Sequence, residues 1–223
     1  AMCLSTTSMA TAAARLRPQF RRAALVIFDK DGTLTSCDKS FGPFTERLIG
    51  KLHGLGLINR LDQAYKALEY DPASRRFGKN SPIIRETTMG SMLKFAEEAW
   101  RQTGQDRAFD EFKEDFFVKT ALGTENSIWG VDLGDLNEDT LELCGRHVHD
   151  VLQALRQAGI KVAVSTSDDR RTTAHTLRTV KLDSFFMIRE CDWPAAADDL
   201  ACGDDADLRP KPHPDSILKL CRL

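Results

Sequence analysis

Apolar and polar positions change their spacing twice along the chain. From Ala24 to Phe28 five apolar residues follow one another, several of them branched, between turn formers. So short a run reads as a strand buried in a parallel sheet. Beyond it the period becomes helical. Phe44, Leu48, Leu52 and Leu55 mark one helix over Phe44–Leu57, and Leu61–Leu68 gives a second. Met89, Met92, Phe95, Ala96 and Ala99 mark a third over Thr88–Trp100, and Phe109, Phe112, Phe116 and Phe117 a fourth over Phe109–Ala121. Strand and helix then alternate. The pattern predicts a helix at Asn137–Gln157 closed by Gly159, a strand at Ile160–Thr166 and a helix at Arg170–Thr179 with Asp168 as its N-cap. A short strand at Phe185–Arg189 and a polar, acidic loop at Asp198–Arg209 follow. Such alternation predicts an α/β fold, a Rossmann-like parallel sheet with right-handed crossovers, interrupted after its first strand by a small helical bundle.

Composition narrows this picture. A chain of 223 residues suits one α/β domain with an insertion. A net charge of -2 argues against a general nucleic-acid binder. No apolar stretch approaches the ~20 residues a membrane helix needs, so no membrane partner is expected. The six cysteines are scattered without metal-ligand spacing and read as reduced thiols of an intracellular protein. Cys37 lies near the candidate chemistry, but no catalytic role is assigned to it. Residues 1–28 hold Arg15, Arg17, Arg21 and Arg22, no acid, and many Ala, Ser and Thr. Residues 1–22 therefore read as a flexible or targeting leader, for a cytoplasmic, mitochondrial or plastid location. Ala1 ahead of Met2 reads as a cloning remnant or an excerpt from a longer frame.

The densest chemistry follows the first strand, in Asp29-Lys30-Asp31-Gly32-Thr33. Residues two apart on a strand face the same way, which puts Asp29 and Asp31 together at its carboxyl end. Open α/β sheets bind their ligands outside those ends. Two neighbouring carboxylates split their pKa values or recruit a cation. One can attack while the other handles protons. An acidic turn alone would not need its first Asp at a buried strand end.

The segment Asp29 to Thr35 resembles the first motif of the haloacid dehalogenase superfamily of phosphatases. Val162-Ala163-Val164-Ser165-Thr166-Ser167 is similar to the second motif, and Arg209-Pro210-Lys211-Pro212-His213-Pro214-Asp215 carries the lysine of the third. The resemblance runs from about Ala24 to the C-terminus. It implies that Asp29 is a nucleophile forming an aspartyl-phosphate, and that Asp31 serves the leaving group and then the hydrolytic water as acid and base. It also implies that Asp29 and the Asp31 carbonyl hold Mg²⁺, that Thr166 binds a phosphoryl oxygen, and that Lys211 neutralises the reacting pair. Ser165 competes with Thr166 if the register slips by one. Gly32, Thr33 and Ser167 complete the phosphate pocket.

In this superfamily an inserted helical bundle is a cap. The resemblance places a helical cap at 41–130 and the sheet domain at 23–40 and 131–223. Tyr70-Asp71-Pro72 through Arg76-Phe77 and Ser81-Pro82 resembles a phosphoglycolate-phosphatase-like subgroup. The cap's Arg75, Arg76, Lys79 and Arg85 read as a solvated basic loop, or as the grip on an anionic substrate tail, with Arg76 as the candidate. The implied partner is a small phosphorylated metabolite.

The superfamily's fourth, acidic motif finds no counterpart after Lys211. Gly203-Asp204-Asp205-Ala206-Asp207 looks like it but precedes the lysine, where relatives carry an acidic loop of no metal-binding role. The expectation is therefore a Mg²⁺-dependent phosphomonoester hydrolase truncated before that motif, its first strand left at a sheet edge. A catalytically weak phosphate-binding remnant and a phosphomutase are the alternatives.

Overall fold

A computed structural model describes residues 23–54, 56–85, 94–99, 101, 136–186 and 198–223. The leader at 1–22, the helix expected over Phe109–Ala121 and residues 187–189 of the expected third strand lie outside the described residues. Of the helix expected over Thr88–Trp100, residues 94–99 are described and are helical. In chain order the elements are β1 (Leu25–Asp29), α1 (Cys37–Gly54), α2 (Leu61–Ala67), β2 (Tyr70–Asp71), β3 (Arg76–Phe77) and α3 (Pro82–Arg85). There follow α4 (Val148–Gln157), β4 (Lys161–Ser165), α5 (Arg170–Thr179), a 3₁₀ turn at Asp183–Phe185, β5 (Leu200–Ala201) and α6 (Asp215–Leu220). They form two compact units, one ending at Thr35 and resuming over Leu143–Leu223, the other Ser36–Glu142.

The first unit is α/β. Its strands lie in the order β1-β4-β5, all parallel, with Leu25 opposite Lys161, Asp29 opposite Ser165 and Ser165 opposite Ala201. Successive strand residues point to opposite faces, and the packing follows that rule. Phe28, Val162, Val164 and Leu200 join Leu152 of α4 and Leu177 of α5. Leu25, Ile27, Ala163 and Ala201 instead join Leu220 of α6. Helices thus cover both faces, as a Rossmann-like sheet requires. Among the described residues β1 pairs only with β4, and its apolar residues are half-buried.

Several elements differ from the sequence expectation. The helix before β4 begins at Val148, not Asn137. Asn137 instead folds a turn, its side chain accepting from the Asp139 amide at 2.9 Å, and Leu143 bridges Thr35. The close at Gly159 is as expected, with φ at 71°. Asp169, not Asp168, caps α5, accepting the Thr172 amide at 2.8 Å. Phe185 and Phe186 are buried from a 3₁₀ turn and the residue after it, not from a strand. The third strand of the sheet is β5, inside the stretch expected to be an acidic loop. Leu200 and Ala201 are too short a run to show a period.

The second unit packs Phe44, Leu48, Ile49 and Leu52 of α1 against Ala64 of α2, Leu68, Tyr70 and Ile83. The helix α1 starts at Cys37, not Phe44; its first turn is polar and so shows no apolar spacing. Asp38 there accepts the Phe77 amide at 2.7 Å and ties on the small β2–β3 hairpin.

Candidate active site

Asp29 ends β1 on the face that carries α6, and it is half exposed. The Lys211 ammonium donates to Asp29 Oδ1 at 2.7 Å and to the Ser165 carbonyl at 2.8 Å. One cation therefore joins the carboxyl ends of β1 and β4. The loop that aims Lys211 is closed on itself. Arg209 grips Asp215 through Nε at 2.8 Å and Nη2 at 3.2 Å, and its amide adds a third bond at 3.1 Å. His213 Nδ1 stands 2.9 Å from the same carboxylate. The Arg209 contact holds the Asp215 carboxyl down, at about 2. Prolines at 210, 212 and 214 stiffen what lies between.

Beyond Asp29 the chain makes a tight turn. Gly32 takes φ 77°, a conformation that costs glycine little. Its amide donates to Thr35 O at 2.7 Å, while the amides of Thr33, Leu34 and Thr35 all donate to Lys30 O. The Asp31 carbonyl receives none of these bonds. Asp31 Oδ1 receives Thr35 Oγ1 at 3.2 Å and Lys30 Nζ at 2.7 Å. Gly32 and Thr33 are exposed at the turn.

Lys30 follows the strand alternation to the opposite face from Asp29. Its side chain is 2 % exposed and also meets Asp168 Oδ2 at 2.8 Å. Burial works against its charge, but Asp168 and Asp31 more than offset this and hold the ammonium above the ordinary lysine range. Burial likewise pushes the Asp168 carboxyl up, against the pull of Lys30. This pairing explains why the N-cap of α5 falls to the next residue.

The two hydroxyls left open by the sequence part company here. Ser165 Oγ donates to Ser216 Oγ at 2.9 Å inside the core. Thr166 leaves the strand, its amide on Ala201 O at 2.9 Å and its hydroxyl accepting the Asp168 amide at 3.2 Å. Ser167 follows, half-buried, against Gly203. A Cβ on Gly203 would stand 2.0 Å from Ser167 O, so only glycine fits this approach.

Approach of the acidic loop does not free its carboxylates. Asp204 accepts the Arg170 amide at 2.9 Å. Asp205 is bound by Arg170 at 2.8 Å and Lys219 at 3.0 Å, and Asp207 by Lys219 at 3.3 Å. These contacts join β5 to α5 and α6. Among the described residues no group of three or more His, Cys, Asp or Glu gathers as a metal cluster. Arg76 lies on β3 of the second unit, exposed, its backbone paired with Asp71.

The structure thus draws Asp29, Lys211 and the end of β4 together, with Asp31 and Thr166 on the adjoining loops. Sequence reasoning missed Lys30, Asp168, Gly203 and Asp215. A charge at the position next in β1's alternation was the one available signal for Lys30.

A parallel sheet with acids and a lysine outside the carboxyl ends of its strands is the place where open α/β proteins bind ligands. The chain belongs to the haloacid dehalogenase-like hydrolases, whose family model matches residues 23–223. No curated protein and no solved structure matched it. Among the described residues no helix is long and apolar enough to cross a membrane.

Proposed function

We propose that this hydrolase is a phosphomonoesterase working through an aspartyl-phosphate on Asp29. The observation that carries the reading is the Lys211 ammonium 2.7 Å from the half-exposed Asp29 carboxylate. A carboxylate at a strand's open end can attack phosphorus, and a fixed cation beside it offsets the charge of an incoming phosphate. As the Asp29 oxygen bonds to phosphorus, the ester bond breaks and Asp31 gives a proton to the leaving oxygen. Asp31 then takes a proton from the water that hydrolyses the aspartyl-phosphate, and general acid–base help of this kind is worth about 10²–10⁴-fold. The Thr166 hydroxyl and the Ser167 amide are assigned to the phosphoryl oxygens, while Gly32 and Thr33, whose amides are spent on the turn, border the pocket.

Two oxygens suit a hard cation. Asp29 Oδ2 is outside the Lys211 contact, and the Asp31 carbonyl is outside the turn's hydrogen bonds. Mg²⁺ keeps several waters and takes few protein oxygens, so this donor set fits it. When bound there, it would supply charge neutralisation between the carboxylate and the phosphate.

A small phosphorylated metabolite, with phosphoglycolate the first to try, is the proposed substrate. It rests on the resemblance over Tyr70–Pro82. The experiment is phosphate release from an aryl phosphate and a panel of phosphorylated metabolites, with and without Mg²⁺. Mg²⁺-dependent release that Asp29→Asn abolishes is the expected result. A fully active Asp29→Asn protein would exclude the nucleophile.

A further inference from the structure

We propose that Lys30 is a positioning residue that holds the Asp31 carboxyl in place for proton transfer to the leaving group, with Asp168 holding Lys30 in turn. The inference rests on the phosphomonoesterase reading and extends it to residues that reading does not use.

Lysine is among the residues least often buried, and it is buried only when paired. Lys30 is 2 % exposed, with Asp31 Oδ1 at 2.7 Å and Asp168 Oδ2 at 2.8 Å. Taking three charges out of water is costly, and an apolar replacement of such a cluster is often neutral or stabilising. Stability therefore does not account for a lysine here. Its geometry does. Lys30 comes from the buried side of the strand, opposite Asp29, and its ammonium is committed to the two acids, so it stands behind Asp31 and out of the reaction's path.

The consequence falls on one oxygen. Asp31 Oδ1 is taken by Lys30 Nζ and by Thr35 Oγ1. Oδ2 is the oxygen left to carry the proton. In the step, the Asp29 oxygen–phosphorus bond forms, the ester oxygen–phosphorus bond breaks, and the proton passes from Asp31 Oδ2 to the departing oxygen. Asp31 sits in a turn after the strand, where bonds from Lys30 at 2.7 Å and Thr35 at 3.2 Å hold its carboxyl. The Lys30 bond is the shorter and the charged one, and a misplacement of 1 Å in such a group can cost about 10²-fold. Asp168 lies two residues beyond Thr166, so its bond to Lys30 also locks the loop after β1 to the loop after β4.

The test compares an alkyl phosphate, whose leaving group needs a proton, with p-nitrophenyl phosphate, whose leaving group does not. Turnover is measured for the wild type, Lys30→Met and Asp168→Asn, each with its melting temperature. Asp168→Asn keeps the size of the side chain and leaves Lys30 on Asp31 alone, so it reports even if Lys30→Met does not fold. The expected result is a fall in kcat/KM on the alkyl ester, which reports the step up to the aspartyl-phosphate, of roughly 10²-fold in Lys30→Met. Its fall on the aryl ester should be at least about tenfold smaller, because that leaving group needs no proton from Asp31. Asp168→Asn should shift the ratio in the same direction by less. Folded variants that lose both activities in equal proportion overturn the positioning role alone. A wild type that hydrolyses neither ester overturns the phosphomonoesterase reading, and the positioning role with it.

Discussion

The Lys211 ammonium lies 2.7 Å from Asp29 Oδ1 although 182 residues separate the two in the chain. Only the parallel pairing of β1 with β4 and the loop ahead of α6 bring them together. Both side chains remain partly exposed, so the bond adds little to stability, about 0–1 kcal/mol. Lys211→Ala should therefore melt close to the wild type while losing about 10²–10³-fold in kcat on a phosphate ester. Steady-state rates and a thermal melt on the same preparation check both halves. A variant with ordinary turnover would remove Lys211 from the site.

Asp215 acts on Lys211 at one remove. Its carboxylate closes the loop through three bonds to Arg209. Asp215→Asn keeps the shape and weakens the grip on the guanidinium. Turnover is expected to fall roughly tenfold, by the same route as in the Lys211 variant. In the Asp215→Asn, Lys211→Ala double variant the second change should add little, because both act on one interaction. Full additivity of the two losses would contradict the coupling.

Gly203 tests the packing between the loops. A methyl group there would meet Ser167 O at 2.0 Å, against backbone that cannot swing aside. Gly203→Ala is expected to cost about 1–3 kcal/mol, read as a lower urea midpoint at unchanged slope. An unchanged midpoint would mean that the two loops are not held this closely.

Asp199 gives a pH dependence with a definite sign. Burial pushes its carboxyl up to about 7, against its own amide; Asp198 adds to the rise and Arg170 opposes it. Its Oδ1 is buried without a hydrogen-bond partner. Between the ordinary 3.8 and about 7 the unfolded chain ionises at this residue while the folded chain keeps its proton. Stability from this group is therefore full below about pH 4 and falls as the pH rises towards 7. Asp199→Asn does not titrate. Its advantage over the wild type should be absent near pH 4 and grow to at most about 4 kcal/mol above pH 7. Chemical denaturation across that range measures it, and a pH-independent difference would contradict the burial of the charge.

How much of this was legible in the sequence follows from the range of each interaction. The strand Leu25–Asp29 was readable because a fully apolar run and the acids behind it are local features. So was β4, and so was α5 with its ten residues of helical pattern. The strand Leu200–Ala201 was not, because two residues carry no period and only pairing with β4 makes them a strand. Asn137 shows a different failure: apolar residues at helical spacing lost to a side chain that bonds its own backbone. At the site, Asp29, Asp31, Thr166 and Lys211 were named from their motifs. The commitment of Lys30 to Asp168 was invisible, since which acid meets a lysine is decided by the pairing of two strands. The acidic run Asp204–Asp207 was set aside as a metal motif because it precedes Lys211, but its bonds to Arg170 and Lys219 could not be read from the sequence.

Trapping the phosphoryl group on Asp29 decides whether this residue is the nucleophile. The protein is mixed with a phosphate ester and Mg²⁺, quenched with borohydride, digested, and its peptides are weighed. Borohydride reduces an aspartyl-phosphate to homoserine, so homoserine is expected at position 29 with substrate and none without it. Asp29→Asn should show none in either case. Steady phosphate release with Asp29 unmodified, or with the adduct on another residue, would exclude Asp29 as the nucleophile.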